Sequence, residues 1–245
     1  HMMFRNRLGS QGMIAHSVGE NELQEIKMTR RDLFASAAAT VFAANTGAGA
    51  AAAVSKKTYI LVHGAWHGGW CWRYVKEALE AAGHTVLTPS LTGLGDRVHL
   101  RNPGVNLTTH VTDIVNLFEF EDLNDVILVG HSYAGHVVSW VADKAKDRIK
   151  HVVYLDAVLP TDGKAFLPPG VGEARVADAK DGYLMAKSGM DFLGIPEGHP
   201  LYDWVDSRLV EHPLPTLMET VVYENDGPAG LPKTFVRCTQ NPRMA

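Results

Sequence analysis

Cysteine is scarce in this 245-residue chain, with Cys71 and Cys238 as the two examples. A pair so far apart excludes a disulfide-built scaffold, and both are expected to be free thiols in the interior. Long apolar runs are missing too, and no stretch has the twenty-residue character of a membrane span. Neither sign of charge dominates. The chain carries 23 Lys and Arg against 27 Asp and Glu, a formal net charge of -4, which gives no reason to expect a nucleic-acid partner. The His and Cys residues show no zinc-ligand spacing, and there is no P-loop or Gly-x-Gly-x-x-Gly, so no metal or organic cofactor is implied. What is present is a 46% hydrophobic composition, enough for one α/β domain with a sizeable core.

The N-terminal 1–54 stands apart from that domain. His1-Met2 resembles a cloning remnant, and residues 3–27 are polar and patternless. Met28, a candidate natural start, opens Met28-Thr29-Arg30-Arg31-Asp32-Leu33-Phe34, followed by a mildly apolar segment and an Ala/Gly tract to Val54. Paired arginines before such a tract resemble a twin-arginine export signal, with Ala48, Ala50 and Ala52 suited to a signal peptidase. The expectation is a periplasmic or secreted protein that begins near Ser55, or a cytoplasmic one if the tract is a plain alanine-rich terminus.

From Lys57 onward strands and helices alternate. Apolar runs predict strands over 58–62, 85–88, 125–129, 151–155 and 233–238. Helical spacing predicts helices over 70–82, with Trp70, Tyr74, Leu79 and Ala82 inward, over 108–120, capped by Thr108 or Thr109, and over 133–146. Residues 91–104 read as loop. Near-continuous apolar strands separated by helices indicate a mostly parallel sheet covered on both faces. Residues 160–232 break the rhythm and predict an inserted helical lid. Its Met185, Met190, Phe192, Leu193, Tyr202, Trp204 and Met218 are candidates either for a substrate pocket or for the lid's own small core.

The chemistry concentrates at Val129-Gly130-His131-Ser132-Tyr133-Ala134-Gly135. A β-branched run, a small-residue turn around one serine and then a helical pattern read as strand, sharp turn, helix. Such a turn exposes the serine Oγ at a helix N-terminus, where backbone N–H groups can meet an oxyanion. Ser132 is therefore the candidate nucleophile, with a helix N-cap serine as the bland alternative. Ala134 stands at the second glycine position of the Gly-x-Ser-x-Gly pattern.

Together with Leu61-Val62-His63-Gly64-Ala65-Trp66-His67-Gly68-Gly69-Trp70-Cys71-Trp72 and Tyr154-Leu155-Asp156-Ala157-Val158-Leu159-Pro160, this stretch resembles the α/β-hydrolases. The resemblance is to the branch with plant-type methyl esterases, hydroxynitrile lyases and related bacterial esterases, and it covers residues 57–243. It implies an α/β-hydrolase fold in which the backbone N–H groups of Ala65 and Tyr133 form the oxyanion hole. Gly64, Gly68 and Gly69 would let the backbone pass close to substrate. His63 and His131 would flank the site, and Trp66 and Trp70 would favour an apolar or aromatic substrate group.

The acid usually follows the strand corresponding to 233–238, where Thr239-Gln240-Asn241-Pro242 offers no carboxylate. Asp156, at the end of the preceding strand, is the candidate acid, with Asp162 and Asp125 as weaker ones. The resemblance places the general-base histidine after one more strand, beyond Ala245. Within the chain, His199 and His212 in the lid are the downstream alternatives. Without that further strand, strand 233–238 is expected to be an unprotected edge. The implied function is hydrolysis of a small carboxylic ester through an acyl-enzyme on Ser132. The alternatives are a cyanohydrin-type C–C lyase, expected to need a lid or His-loop lysine, and a non-catalytic ligand-binding relative. The only implied partner is a small-molecule ester, and the residues carry no sign of oligomeric state.

Overall fold

The computed structural model describes residues 55–239 and, nearer the N-terminus, the backbone of two strands, β1 (Gly12–Gly19) and β2 (Glu22–Thr29). The remaining strands are β3 (Thr58–Val62), β4 (Thr85–Leu87), β5 (Val126–His131), β6 (Ile149–Leu155), β7 (Leu184–Met185), β8 (His212–Pro213) and β9 (Lys233–Cys238). The α-helices are α1 (Arg73–Ala81), α2 (Leu107–Phe120), α3 (Ala134–Lys144), α4 (Val171–Ala177), α5 (Tyr202–Asp206) and α6 (Pro215–Met218).

One sheet runs in the order β2-β1-β9-β6-β5-β3-β4, and β4, β3, β5, β6 and β9 are mutually parallel. The β1–β2 hairpin lies antiparallel along β9. Two expectations change here. Residues 3–27, which show no sequence pattern, contain strands, and β9 has a neighbour on its outer side instead of a bare edge. The Arg30-Arg31 pair and the alanine tract to Val54 lie outside the described residues, as do residues 240–245.

Alternation within β3 shows why the sheet needs cover on both sides. Ile60 and Val62 join the large core with α2 and α3, whereas Leu61 packs on the opposite face with Trp72, Val86 and Val129. On the first face α3 is buried from Ala134 through Asp143. Helix α2 contributes Val111, Ile114 and Phe118, as its spacing predicts. Its cap is Asn106 rather than Thr108 or Thr109. Asn106 Oδ1 accepts the Thr109 N–H at 2.9 Å, and Thr109 Oγ1 accepts the Asn106 N–H at 3.3 Å, a reciprocal pair that Thr109 completes from the third helical position.

The second face is covered more thinly. The predicted helix over 70–82 divides into a 3-10 turn, Gly69–Trp72, and α1, which buries no residue fully. Trp72 takes the inward place, while Tyr74, expected to point inward, is 53% exposed. A further 3-10 segment, Gly95–Leu100, lies in the predicted loop. Among the described residues no helix is long and apolar enough to cross a membrane.

The insertion between β6 and β9 is a lid of short pieces, α4 to α6 with the two-stranded β7–β8 ladder. Its two legs are zipped into a neck where they leave the sheet. Gly163 N donates to Val221 O, Val221 N to Lys164 O and Leu167 N to Leu217 O, at 2.8–3.1 Å. The returning leg is also moored to α3. The Asp143 carboxylate accepts the N–H groups of Glu224, Asn225 and Gly227, each at 2.8 Å.

Candidate active site

The carboxyl ends of β3, β5, β6 and β9 open into one cavity of about 390 Å³. This is the end of a parallel sheet where ligands bind in such folds. Gly64, Ala65 and Trp66 reach it from β3, His131 and Ser132 from β5, Asp156 from β6 and Cys238 from β9. The sequence-predicted residues are thus brought together. Tyr133 is fully buried directly behind Ser132.

Ser132 sits at φ 53°, in the left-handed region that a non-glycine residue occupies only under constraint. The constraint is visible in its backbone bonds. Its N–H donates to Leu155 O at 3.2 Å, and its carbonyl accepts from Gly135 and Val158, both at 3.0 Å. The Val158 bond ties the elbow to the loop carrying Asp156, itself left-handed at φ 45°. Close packing at the elbow falls on Gly130 and Gly135. A Cβ on Gly135 would lie 2.3 Å from Val158 O, and one on Gly130 2.7 Å from Val138 Cγ2. Ala134, at the motif's second glycine position, is fully buried and accommodates its methyl group.

The loop after β3 forms the facing wall. A Cβ on Gly64 would stand 3.0 Å from both Ser132 Cβ and His131 Nδ1, so only glycine fits against the serine without a shift. Gly68 and Gly69 have another role than the one expected. They are crowded by the protein's own backbone, at 2.6 Å from Gly95 Cα and 2.0 Å from Thr88 O for an added Cβ, not held open for substrate. Among the described residues, no protein acceptor takes the N–H of Ala65 or of Tyr133. Those are the two groups expected to meet an oxyanion.

The rest of the cavity is apolar and aromatic, with Trp70 edge-on to Trp204 at 5.3 Å and Trp66 edge-on to Phe192 at 6.1 Å. The lid candidates divide between the two roles foreseen for them. Phe192, Leu193 and Trp204 line the cavity, while Met190 packs with Val205 and Leu209 in a lid core that Tyr202 flanks. Met185 and Met218 pack against the main core. Both cysteines are half-buried residues on the cavity wall, and the Cys71 thiol itself is turned inward, where burial pushes it up to about 12.

Burial keeps the nearby histidines neutral. His63 is held down to about 3 and His131 to about 4, and His67 is lowered as well. Asp156 is then the one charged side chain among the described lining residues. Its Oδ1 accepts a long 3.4 Å bond from the Cys238 N–H.

The weaker candidates lie elsewhere. Asp125 precedes β5, at the opposite end of the strand from Ser132. Asp162 accepts the Tyr223 N–H at the lid neck. His199 Nδ1 accepts the Leu201 N–H in an exposed loop. His63 spends both ring nitrogens, donating from Nδ1 to Gly64 O at 2.8 Å and accepting the Leu91 N–H at Nε2 at 3.0 Å. His212 is fully buried beside Tyr133, with ring centroids 5.0 Å apart. Sequence reasoning missed His67, whose ring stacks on Trp70 and lines the cavity, and His110, which receives the Tyr133 hydroxyl at 3.0 Å. The His-x-x-x-His spacing of the β3 loop was the available signal for His67, and none marked His110. Among the described residues no group of three His, Cys, Asp or Glu could hold a metal ion.

Comparison with known proteins agrees with this geometry. A sequence model described as the alpha/beta hydrolase family matches residues 59–245. A carbendazim hydrolyzing esterase of Nocardioides sp. (strain SG-4G) is 38% identical over 192 residues, covering 73% of this chain and 78% of the relative. Methylesterase 1 of Arabidopsis thaliana is 28% identical over 216 residues, 76% and 79% of the two chains. Among solved structures, an extracellular alpha/beta-hydrolase from a Paenibacillus species superposes with a TM-score of 0.64 at 25% identity, covering 73% and 76%. It is described as sharing structural and functional homology with tobacco salicylic acid binding protein 2.

Proposed function

This chain belongs to the alpha/beta hydrolase family, and on that footing we propose that it is a carboxylic ester hydrolase acting through an acyl-enzyme on Ser132. The observation that carries the reading is the left-handed Ser132 on the wall of a largely apolar cavity that also holds Ala65 and Asp156. The esterase names of its relatives support ester hydrolysis.

In the proposed mechanism Ser132 Oγ attacks the ester carbonyl, and the carbonyl oxygen becomes an oxyanion held by the N–H groups of Ala65 and Tyr133. One such donor is worth about 10²–10³ in rate. The serine proton passes to a histidine that the family resemblance places beyond the last strand, oriented and charge-stabilised by Asp156. Collapse releases the alcohol, and water then hydrolyses the acyl-enzyme by the same route. With Asp156 as the one charge among the described lining residues, the cavity favours a neutral ester whose apolar or aromatic group packs between Trp66, Trp70 and Trp204. Export by the twin-arginine route, and hence a periplasmic or secreted site of action, is part of the same proposal and rests on the Arg30-Arg31 motif; processing near Ser55 would take the β1–β2 hairpin away and leave β9 without that neighbour.

The test is to treat the protein with a fluorophosphonate and to follow hydrolysis of p-nitrophenyl esters. Labelling of wild type but not of Ser132→Ala, with matching turnover, is the expected result. No adduct and no turnover from correctly folded, full-length protein would sink the esterase reading in favour of a ligand-binding relative. Cyanohydrin cleavage with little ester turnover would favour the lyase.

A further inference from the structure

The peptide units around Ala65 are pinned one after another, and the pins at the far end come from the lid. Gly64 O accepts from His63 Nδ1 at 2.8 Å, and Ala65 O accepts from His67 Nδ1 at 2.6 Å. Trp66 is left-handed at φ 65°, which a bulky residue adopts only when its surroundings impose it. Its surroundings are the lid segment leading into β8. Val210 N donates to Trp66 O at 3.1 Å, and His212 Nδ1 faces the Trp66 N–H at 3.4 Å. Glu211, between them, is held by Arg101 at 2.9 Å and Lys180 at 2.7 Å, which fixes the segment in turn.

The hydrogen-bond pattern also sets the tautomer of His212. Thr216 has one hydroxyl proton and donates it to Pro213 O at 2.7 Å. Thr216 Oγ1 can then only accept from His212 Nε2 at 2.7 Å, so Nε2 carries the proton and Nδ1 is free to accept.

We propose that His212 is a positioning residue for the oxyanion hole, fixing the Ala65-Trp66 peptide from the lid and so restraining rotation at Ala65, whose N–H, in the preceding Gly64-Ala65 peptide, points at the reacting carbonyl. What is positioned rests on the esterase reading, whereas the clamp itself does not. A docked lid therefore completes the donor pair as well as covering the substrate.

The test uses side-chain isosteres. His212→Asn keeps an acceptor close to the Nδ1 position, whereas His212→Gln keeps only the reach to Thr216. Thr216→Ser keeps the tautomer lock and Thr216→Val removes it, a second pair should the His212 variants fail to fold. Two readouts are taken on the full chain: amide hydrogen exchange at Trp66, and the rate of fluorophosphonate labelling of Ser132 together with kcat and KM. The expected result is fast Trp66 exchange in the Gln and Val variants and slow exchange in Asn and Ser. Labelling and kcat should fall about 10–100-fold in Gln and Val with KM unchanged, the scale of a slightly misplaced catalytic group. Equal behaviour within each pair, or losses that merely follow the unfolding midpoint, overturns the proposal. Fast Trp66 exchange in wild type overturns it as well. Slow wild-type exchange without any Ser132 labelling supports the clamp and overturns the esterase reading instead.

Discussion

Restoring the family pattern at the elbow by Ala134→Gly should weaken the protein, and the adjacent change Gly135→Ala should weaken it more. Ala134 is fully buried. Losing its methyl group removes about 0.8 kcal/mol of burial, and glycine in a helix adds up to about 1 kcal/mol, so the total is about 1–2 kcal/mol. At Gly135 the new Cβ would fall 2.3 Å from Val158 O. Helix α3 or the Val158 loop must then retreat by about 1 Å, and overpacking of that kind costs about 3 kcal/mol. The retreat is transmitted to the site, because Val158 N is bonded to Ser132 O and Asp156 lies two residues upstream. Gly135→Ala should therefore lose ester turnover beyond its loss of stability, while Ala134→Gly should keep turnover. Urea unfolding midpoints at near-neutral pH, read alongside kcat, check both. A Gly135→Ala protein at least as stable as Ala134→Gly would refute the assignment of close packing to position 135.

Three further outcomes are expected. His63 is held to about 3 and His110, His131 and His136 to about 4, chiefly by burial. Below pH 6.5 the unfolded chain binds protons that the folded one refuses, so stability is full above that pH and falls by up to about 1.4 kcal/mol per pH unit per histidine towards pH 4. Denaturation midpoints that stay flat from pH 7 to pH 5 would contradict the neutral burial of these rings. Asp143→Ala should destabilise by about 3 kcal/mol by stranding three N–H groups of the lid's returning leg, with raised exchange at Glu224, Asn225 and Gly227 as its local sign. Burial pushes Cys71 up to about 12. Its alkylation by iodoacetamide, followed by mass spectrometry, should run far slower than that of free cysteine, and rapid labelling in the native state would argue against its burial.

The parallel sheet was legible because strands buried on both faces must be apolar throughout, as Ile60, Leu61 and Val62 are. The strand-turn-helix at Ser132 was legible because its close packing demands small residues at positions 130, 134 and 135, and the sequence shows them there. Contacts that join distant segments left no local trace. Nothing around His212 or Val210 signals that they grip Trp66, about 145 residues earlier. Trp72 replaced Tyr74 in the core because residues 69–72 wind as a 3-10 turn, which changes the angle per residue and rotates the apolar face. Asn106 displaced the threonines as cap because its short amide reaches the Thr109 N–H from outside the first turn. The place of Asp156 on the cavity wall was legible from its position at a strand end.

The zipped neck of the lid has a consequence for how such a protein can diversify. Because the two legs bond to each other where they leave the sheet, the part of the lid beyond this neck that does not pack on the main core is expected to be exchangeable without disturbing the strands that lead to Ser132 and Asp156. A graft from a relative with another preference could thus redraw the apolar wall in one step. The exchange has an inner limit, since residues 210–216 hold Trp66 and must stay with the scaffold. Lys180, which holds Glu211, and strand β7, which pairs with β8, must stay with it, so new specificity is expected to arise in the stretch between Met185 and Leu209 that carries Phe192, Leu193 and Trp204.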